Sequence, residues 1–409
     1  MTVCLVLKGC VGIPSEYSGT DPGEVVPGGQ DFSTLDALLD AELEDGRLNG
    51  FAMQIVDAEG QVVHRREEGV CAPASSCGAG EPEFSVSLVT SVASSSKWVT
   101  STVILAVLDA EVEAGRFASL AEGLDQPVVP ELGCDVQGPV TEITVRQLLS
   151  FTSGVIANHD CTSTSASLEE CACMVLTDSA EAMSDGPPVA EGARTRAHLP
   201  GTTYKYGASH HAIAGAWVEA RTGDSWDELL DRHVLAPTGA AITYRRASNL
   251  AGSAVASTVD FTRFVNGART DSLALAEGDS DGGMLLSLEA AAEQRASQVP
   301  EGAVVLLKPA NEAEYGLNLW RYCIEPFDEQ DALGPVERLQ ALVDPSCDDV
   351  FILGHGGKGG YAPFMDDQGR YGGVLSIRED SPGGGAEYTE EQLALSTRVR
   401  MLVHLAMLP

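Results

Sequence analysis

Ser91-Val92-Ala93-Ser94-Ser95-Ser96-Lys97-Trp98-Val99-Thr100 is the stretch on which the reading of this chain turns. A polar run ends at Lys97 and passes straight into an apolar segment, Trp98 to Leu108. Serine and threonine cap helices well, and the residues beyond are helix-compatible and apolar on nearly every side. The pattern therefore predicts the N-terminus of a buried helix. On that helix Ser94 and Lys97 stand three positions apart and share a face, so hydroxyl and amine can touch. A serine hydroxyl is a poor nucleophile until a base takes its proton. A lysine serves as that base when burial or a neighbouring positive charge lowers its pKa. Backbone N–H groups of the first turn would point at negative charge forming on a substrate oxygen. Alone, the spacing is weak, since a serine-rich cap followed by an exposed lysine reads the same way. It is nonetheless the one Ser-x-x-Lys pair in the chain.

Composition narrows the classes. At 409 residues and 44% hydrophobic, the chain can bury a large core. No apolar run reaches the roughly 18 residues of a membrane span. A formal net charge of −35 repels phosphate backbones and argues against nucleic-acid partners. Ten cysteines form no CxxC pair, and Cys171-Ala172-Cys173 is a poor zinc pair, so metal spacing is not supported. Cys4 and Cys10 lie in the leader; the other eight point to disulfides and an oxidising compartment. Two local bridges are expected, Cys71 with Cys77 and Cys323 with Cys347, the second closing an acidic insertion. Leu7-Lys8-Gly9-Cys10 is similar to a bacterial lipoprotein cleavage site, with a Gly/Pro-rich tether running to Gln30. The apolar core before Cys10 is short and Lys8 is out of place there, as in a truncated signal. Cys10 is thus the candidate lipid anchor, and the only membrane attachment expected.

Along the chain, Ser33 is placed to cap an amphipathic helix running to about Gly46. Phe51–Asp57 and Gln61–Arg65, separated by Ala58-Glu59-Gly60, read as a β-hairpin. From Gly115 to about Pro309 the pattern is mostly helical runs joined by polar loops. Strand signals return at Tyr315–Tyr322, Val350–Gly354, Tyr361–Met365 and Tyr371–Ile377, and a helix closes the chain from Thr389 to Leu408. The order is helix, strands, helical block, strands, helix, which describes a sheet split by an insertion. Residues 1–30 form a leader or tether. Residues 31–115 and 310–409 make one α/β lobe, and 116–309 a mostly helical inserted lobe.

Further stretches give the pattern a family. Ile143-Thr144-Val145-Arg146-Gln147-Leu148-Leu149-Ser150-Phe151-Thr152-Ser153-Gly154 follows the serine–lysine box, then Pro200-Gly201-Thr202-Thr203-Tyr204-Lys205-Tyr206. Gly252 to Phe264, with Ser257-Thr258 and Asp260, comes next, and then Gly354-His355-Gly356-Gly357. In this order the chain resembles the serine β-lactamase and penicillin-binding-protein superfamily. The branch is that of class C β-lactamases, D-alanyl-D-alanine carboxypeptidases and related esterases, and the likeness runs from about Ser33 to the C-terminus. It implies an α+β fold, an antiparallel sheet flanked by N- and C-terminal helices with a mostly helical domain inserted. It implies acyl transfer through a serine ester, with Ser94 as nucleophile and Lys97 and Tyr206 as the base pair. Tyr206 would also pass the proton to the leaving group and activate water. An oxyanion hole is implied from the N–H of Ser94 and one near Lys358. His355, Gly356 and Gly357 would line the docking edge, and no metal or organic cofactor is called for.

Two departures bear on the substrate. The second box usually reads tyrosine, any residue, asparagine, and here it reads Tyr206-Gly207-Ala208. The asparagine that meets a substrate amide is missing, which favours a small ester over a β-lactam or D-alanyl-D-alanine peptide. The loop after His355 is one residue shorter than the common pattern, leaving Lys358 as a second candidate for the substrate-facing cation. His210-His211 has no metal-ligand spacing and reads as structural. The competing reading from another class is a non-catalytic binding or sensor domain on the same fold, against which the intact Ser94, Lys97 and Tyr206 count.

Overall fold

The computed structural model describes residues 25, 28–71, 82–164, 166–184, 196–278, 285–307, 314–323, 326–335, 338–339, 342, 352–378 and 390–408. Its framework is a seven-stranded antiparallel sheet built from both ends of the chain. In chain order the strands are β1 (Gly50–Val56), β2 (Val62–Gly69), β3 (Glu314–Tyr315), β4 (Trp320–Tyr322), β5 (Ile352–Gly354), β6 (Tyr361–Asp366) and β7 (Gly372–Arg378). Their spatial order is β3-β4-β5-β6-β7-β1-β2. The predicted hairpin is β1–β2, and β1 also pairs with β7, Phe51 opposite Ile377.

Period-two alternation decides which face each strand residue serves. Phe51, Met53, Ile55, Phe364, Leu375 and Ile377 pack on one face with Leu35 and Leu39 of α1 (Ser33–Glu44) and with Leu395, Val399 and Leu402 of the closing helix. Leu353, Tyr361, Met365 and Val374 face the other way, toward Phe261, Phe264 and Val265. Every residue of β1 is buried because helices cover both faces of this interior strand. The first helix starts differently from expectation: Ser33 is its first helical residue, and the Asp31 carboxylate accepts the Ser33 N–H at 2.9 Å.

The apolar run after Lys97 is α2 (Ser96–Glu113), buried from Ser96 through Leu108. Burial on all sides matches its lack of a polar stripe and makes it the central helix. Against it packs α4 (Ser209–Thr222), which in turn carries α3 (Leu168–Ala182), and α5 (Thr258–Glu277) presents Phe264 edge-on to Trp98 at 5.4 Å.

Disulfides Cys134–Cys173 and Cys161–Cys171 tie α3 to the segments before it. Cys171 and Cys173, two positions apart, therefore serve two separate bridges, and both sit on a helix rather than in a loop. Cys71 and Cys323 are disulfide-bonded as well; Cys77 and Cys347, the partners expected for them, lie outside the described residues, as does Cys10. No helix among the described residues is long and apolar enough to cross a membrane.

Candidate active site

The serine-rich stretch enters its helix through a strained turn. Ala93 to Ser95 form a single 3-10 turn ahead of α2, and Ala93 has φ +47°, in the left-handed region that a residue with a Cβ adopts reluctantly. None of the serines caps the helix with its side chain. Each hydroxyl is used to fix the turn or its partners instead. Ser95 Oγ donates to the Tyr361 carbonyl at 3.4 Å, and Ser96 Oγ accepts the Ala254 N–H at 3.1 Å. Tyr244 Oη donates to the Ser96 carbonyl at 3.0 Å.

Ser94 is half-buried, and Lys97 Nζ donates to its Oγ at 3.2 Å. The same ammonium donates to the Ala251 carbonyl at 2.8 Å and lies over the Tyr206 ring, 4.5 Å from its centroid. Neither of these hydrogen bonds of Nζ reaches a carboxylate, and Lys97 is 3% exposed. Burial without a counter-charge pushes the lysine pKa down to about 7. Near neutrality this amine divides between its charged and free-base forms.

Tyr206 arrives from the short strand Thr203–Lys205. The 143–154 stretch holds that strand: Phe151 O accepts the Lys205 N–H at 2.9 Å and Thr152 O accepts the Gly201 N–H at 2.7 Å. A capping box at Thr144 and Gln147 starts the helix that delivers Phe151. Phe151, at φ +59°, then drives its ring between Tyr206 at 4.8 Å and His210 at 5.0 Å. The two recurrent stretches are thus a clamp and the residue it clamps.

The Gly354–Gly360 loop closes the other side. A Cβ on Gly357 would lie 2.1 Å from the Val92 carbonyl oxygen, so only glycine lets this loop touch the turn that carries Ser94. His355 is fully buried; its Nε2 is 3.2 Å from Tyr315 Oη, and its ring stacks with that of Tyr206 at 6.0 Å. Burial first, and the Lys97 charge after it, hold the imidazole well below its ordinary pKa, so it is neutral. Gly356 is half-buried and Lys358 exposed. The fold thus brings Ser94, Lys97, Tyr206, His355 and Gly357 into one cluster and leaves Lys358 as the solvent-facing cation of the loop.

The beta-lactamase family model matches residues 35–396. The chain belongs to the beta-lactamase family. Among solved structures it is similar to a putative beta-lactamase from Bacteroides dorei DSM 17855, with TM-score 0.64, 21% identity, and 92% of this chain and 99% of that one covered. It is similar to a penicillin-binding protein homolog from Caulobacter crescentus, with TM-score 0.60, 16% identity and coverage of 94% and 99%. It also resembles EstCE1, a hydrolase with promiscuous acyltransferase activity, with TM-score 0.57, 16% identity and coverage of 91% and 97%. At these identities the likeness concerns the fold. No curated protein matches the chain.

Within this beta-lactamase fold some residues at the cluster left no trace in the sequence. Ala251 offers only a carbonyl, which any residue would carry, and it meets Lys97 across 154 positions. Tyr315 lies on β3 and reaches His355 through its hydroxyl. Asn158 stands beside the second box, its Oδ1 accepting the Ala208 N–H at 3.1 Å. Ser209, next to Ala208, is buried, and its Oγ accepts the His159 N–H at 2.9 Å. No group of three or more His, Cys, Asp or Glu among the described residues is placed to hold a metal ion.

Proposed function

We propose that this protein is a serine hydrolase that cleaves a small ester or amide through an acyl-enzyme. The observation that carries the reading is Lys97: a buried amine 3.2 Å from Ser94 Oγ with its pKa pushed down to about 7. The free-base lysine takes the Ser94 proton as Oγ attacks the substrate carbonyl. Lysinium over the Tyr206 ring then favours loss of the phenolic proton, and Tyr206 carries protons to the leaving group and from the deacylating water. The N–H of Ser94 and one beyond Gly357 hold the oxyanion, the Gly357–Val92 contact keeping the two walls in register. His355, neutral and turned toward Tyr315, positions Tyr206 by stacking, and Lys358 meets the solvent-facing end of the substrate.

Esters are favoured at the scissile bond. An amide has a poor leaving group and needs closer positioning, and Ala208 offers no side-chain donor to supply it. The disulfides support the reading of an oxidising, extracytoplasmic compartment, with Cys10 as the candidate lipid anchor. A fluorophosphonate or penicillin adduct is expected on the peptide containing Ser94, with p-nitrophenyl esters turned over faster than penicillins. Full turnover by Ser94→Ala would overturn the acyl-enzyme reading, and efficient β-lactam hydrolysis without esterase activity would overturn the ester preference.

A further inference from the structure

A cavity opens beside the C-terminal end of α2, at the other end of the helix from Ser94, and takes no part in the proposed reaction. Its volume is about 370 Å³, inside the ~300–1,000 Å³ range of small-molecule sites. Part of its lining is apolar: Val107 and Ala110 of α2 and the buried Leu229. Its charged lining is Arg116, Arg221 and Arg232, with only Glu111 and Asp224 as counter-ions, and His233 stands beside them. In a chain of net charge −35, a surplus of guanidinium at one concavity runs against the average.

Separate elements converge to build it. α2 ends at Glu113, and Arg116 turns back to donate to Glu111. α4 ends at Thr222 and delivers Arg221, which is fully engaged. Its Nε donates to Glu111 at 2.9 Å, a terminal nitrogen donates to Glu131 at 2.7 Å, and the guanidinium lies 4.3 Å from the Phe117 ring centroid. The short helix Trp226–Leu230 then widens into a π-helical turn, Asp231–Leu235, that carries Arg232 and His233, both on the cavity wall. Such widened turns recur at functional sites.

Arg221 is spent on structure, and the other two are not. Arg116 donates through one terminal nitrogen to Glu111, and Arg232 through one to Asp224 at 2.6 Å; both side chains are more than half exposed. The Nε and second terminal nitrogen of each, and the His233 ring, have no hydrogen-bond partner among the described residues. A guanidinium with donors to spare receives a carboxylate in a two-point fork. Glu111 and Asp224 stand too near to admit a dianion without repulsion, so a single negative charge fits best.

We propose that this cavity is a second ligand site, for a monocarboxylate with a small apolar body. The carboxylate is held between Arg116 and Arg232, and the body lies against Val107, Ala110 and Leu229. His233, kept below its ordinary pKa by burial first and the Arg232 charge next, is neutral and offers one N–H to the same carboxylate. The site is independent of the acyl-enzyme reading, since Ser94 has no part in it.

Benzoate and benzamide share a shape, and only the first is charged. Calorimetry at constant ionic strength, made up with sodium chloride, is expected to give about tenfold tighter binding of benzoate. Arg116→Ala and Arg232→Ala should each weaken benzoate roughly three- to fivefold, and together bring it to the level of benzamide. The double variant Arg116→Lys, Arg232→Lys keeps the charge but loses the fork, and should recover only part of the difference. Lys358→Ala, at the serine cleft, should leave the affinity for benzoate as it was. No measurable benzoate binding, equal affinity for the two compounds, or wild-type affinity in the double alanine variant would overturn the assignment. Loss of benzoate binding in Lys358→Ala would move the carboxylate to the cleft and overturn it as well.

Discussion

The two ends of α2 each bury an ionisable side chain, and the fold treats them in opposite ways. At the C-terminal end Glu111, 3% exposed, accepts from Arg116 and, at 2.9 Å, from Arg221. The Arg116 hydrogen bond first, and the Arg221 guanidinium with it, hold its carboxyl below the ordinary range against the opposing effect of burial. At the N-terminal end Lys97 is as deeply buried, but among the described residues it is hydrogen-bonded only to a hydroxyl and a carbonyl. A buried charge with its counter-ion stays ionised and contributes to structure; one without it is pushed toward its neutral form and becomes usable as a base. Chemistry in this fold is expected where the counter-ion is missing.

The largest effect that would break this contrast is at Lys97. Lys97→Met should lower kcat/KM for a p-nitrophenyl ester by at least ~10³-fold, toward the upper end of what a positioned base supplies. The sign for stability is opposite. The folded-state pKa of about 7 lies below the 10.5 of a free lysine, so the unfolded chain binds more protons between those values. Stability therefore rises with pH across that window, and below it the burial penalty is fully present. Lys97→Met should accordingly show a denaturation midpoint at pH 6 no lower than the wild type. Tyr206→Phe should keep the fold and lose about 10²-fold in rate, and a near-normal rate would move the second proton carrier elsewhere.

The pH profile sharpens the same point. If free-base Lys97 is the active form, kcat/KM falls about tenfold per pH unit below 7 and levels off above it, and a profile flat from pH 5 to 8 would exclude that role. At the other end of the helix, Glu111→Gln should leave turnover unchanged and cost about 1–3 kcal/mol in chemical denaturation. That is less than for a fully enclosed pair, because Arg116 is more than half exposed. The cysteines bear on stability alone. Non-reducing peptide mapping should join Cys323 to Cys347 and Cys71 to Cys77, and loss of the first bridge should cost roughly 2–4 kcal/mol. Free thiols at Cys323 and Cys347 in oxidised material would contradict the pairing.

What the amino-acid sequence determined by itself is what depends on neighbours a few positions away. Ser94 and Lys97 meet because a helical turn brings positions three apart onto one face. The β1–β2 hairpin follows from alternation on either side of a short turn, and the order of the recurrent stretches sufficed to give the family and its fold. Ser33 does not cap its helix: it is the first helical residue, and its own N–H is held by the Asp31 carboxylate. Only the tertiary structure decided the state of Lys97, since its pKa depends on how much water is excluded and on which carboxylates are absent. It alone joined Cys134 to Cys173 and Cys161 to Cys171, because pairing is set by the distance between cysteines in the folded chain. It alone buried His355 against Tyr315 and laid Asn158 on Ala208, contacts that span 40 and 50 positions. No local pattern encodes such pairs: the periodicity of a helix or strand extends over a few residues, and these contacts exist only once the sheet and the central helix have packed.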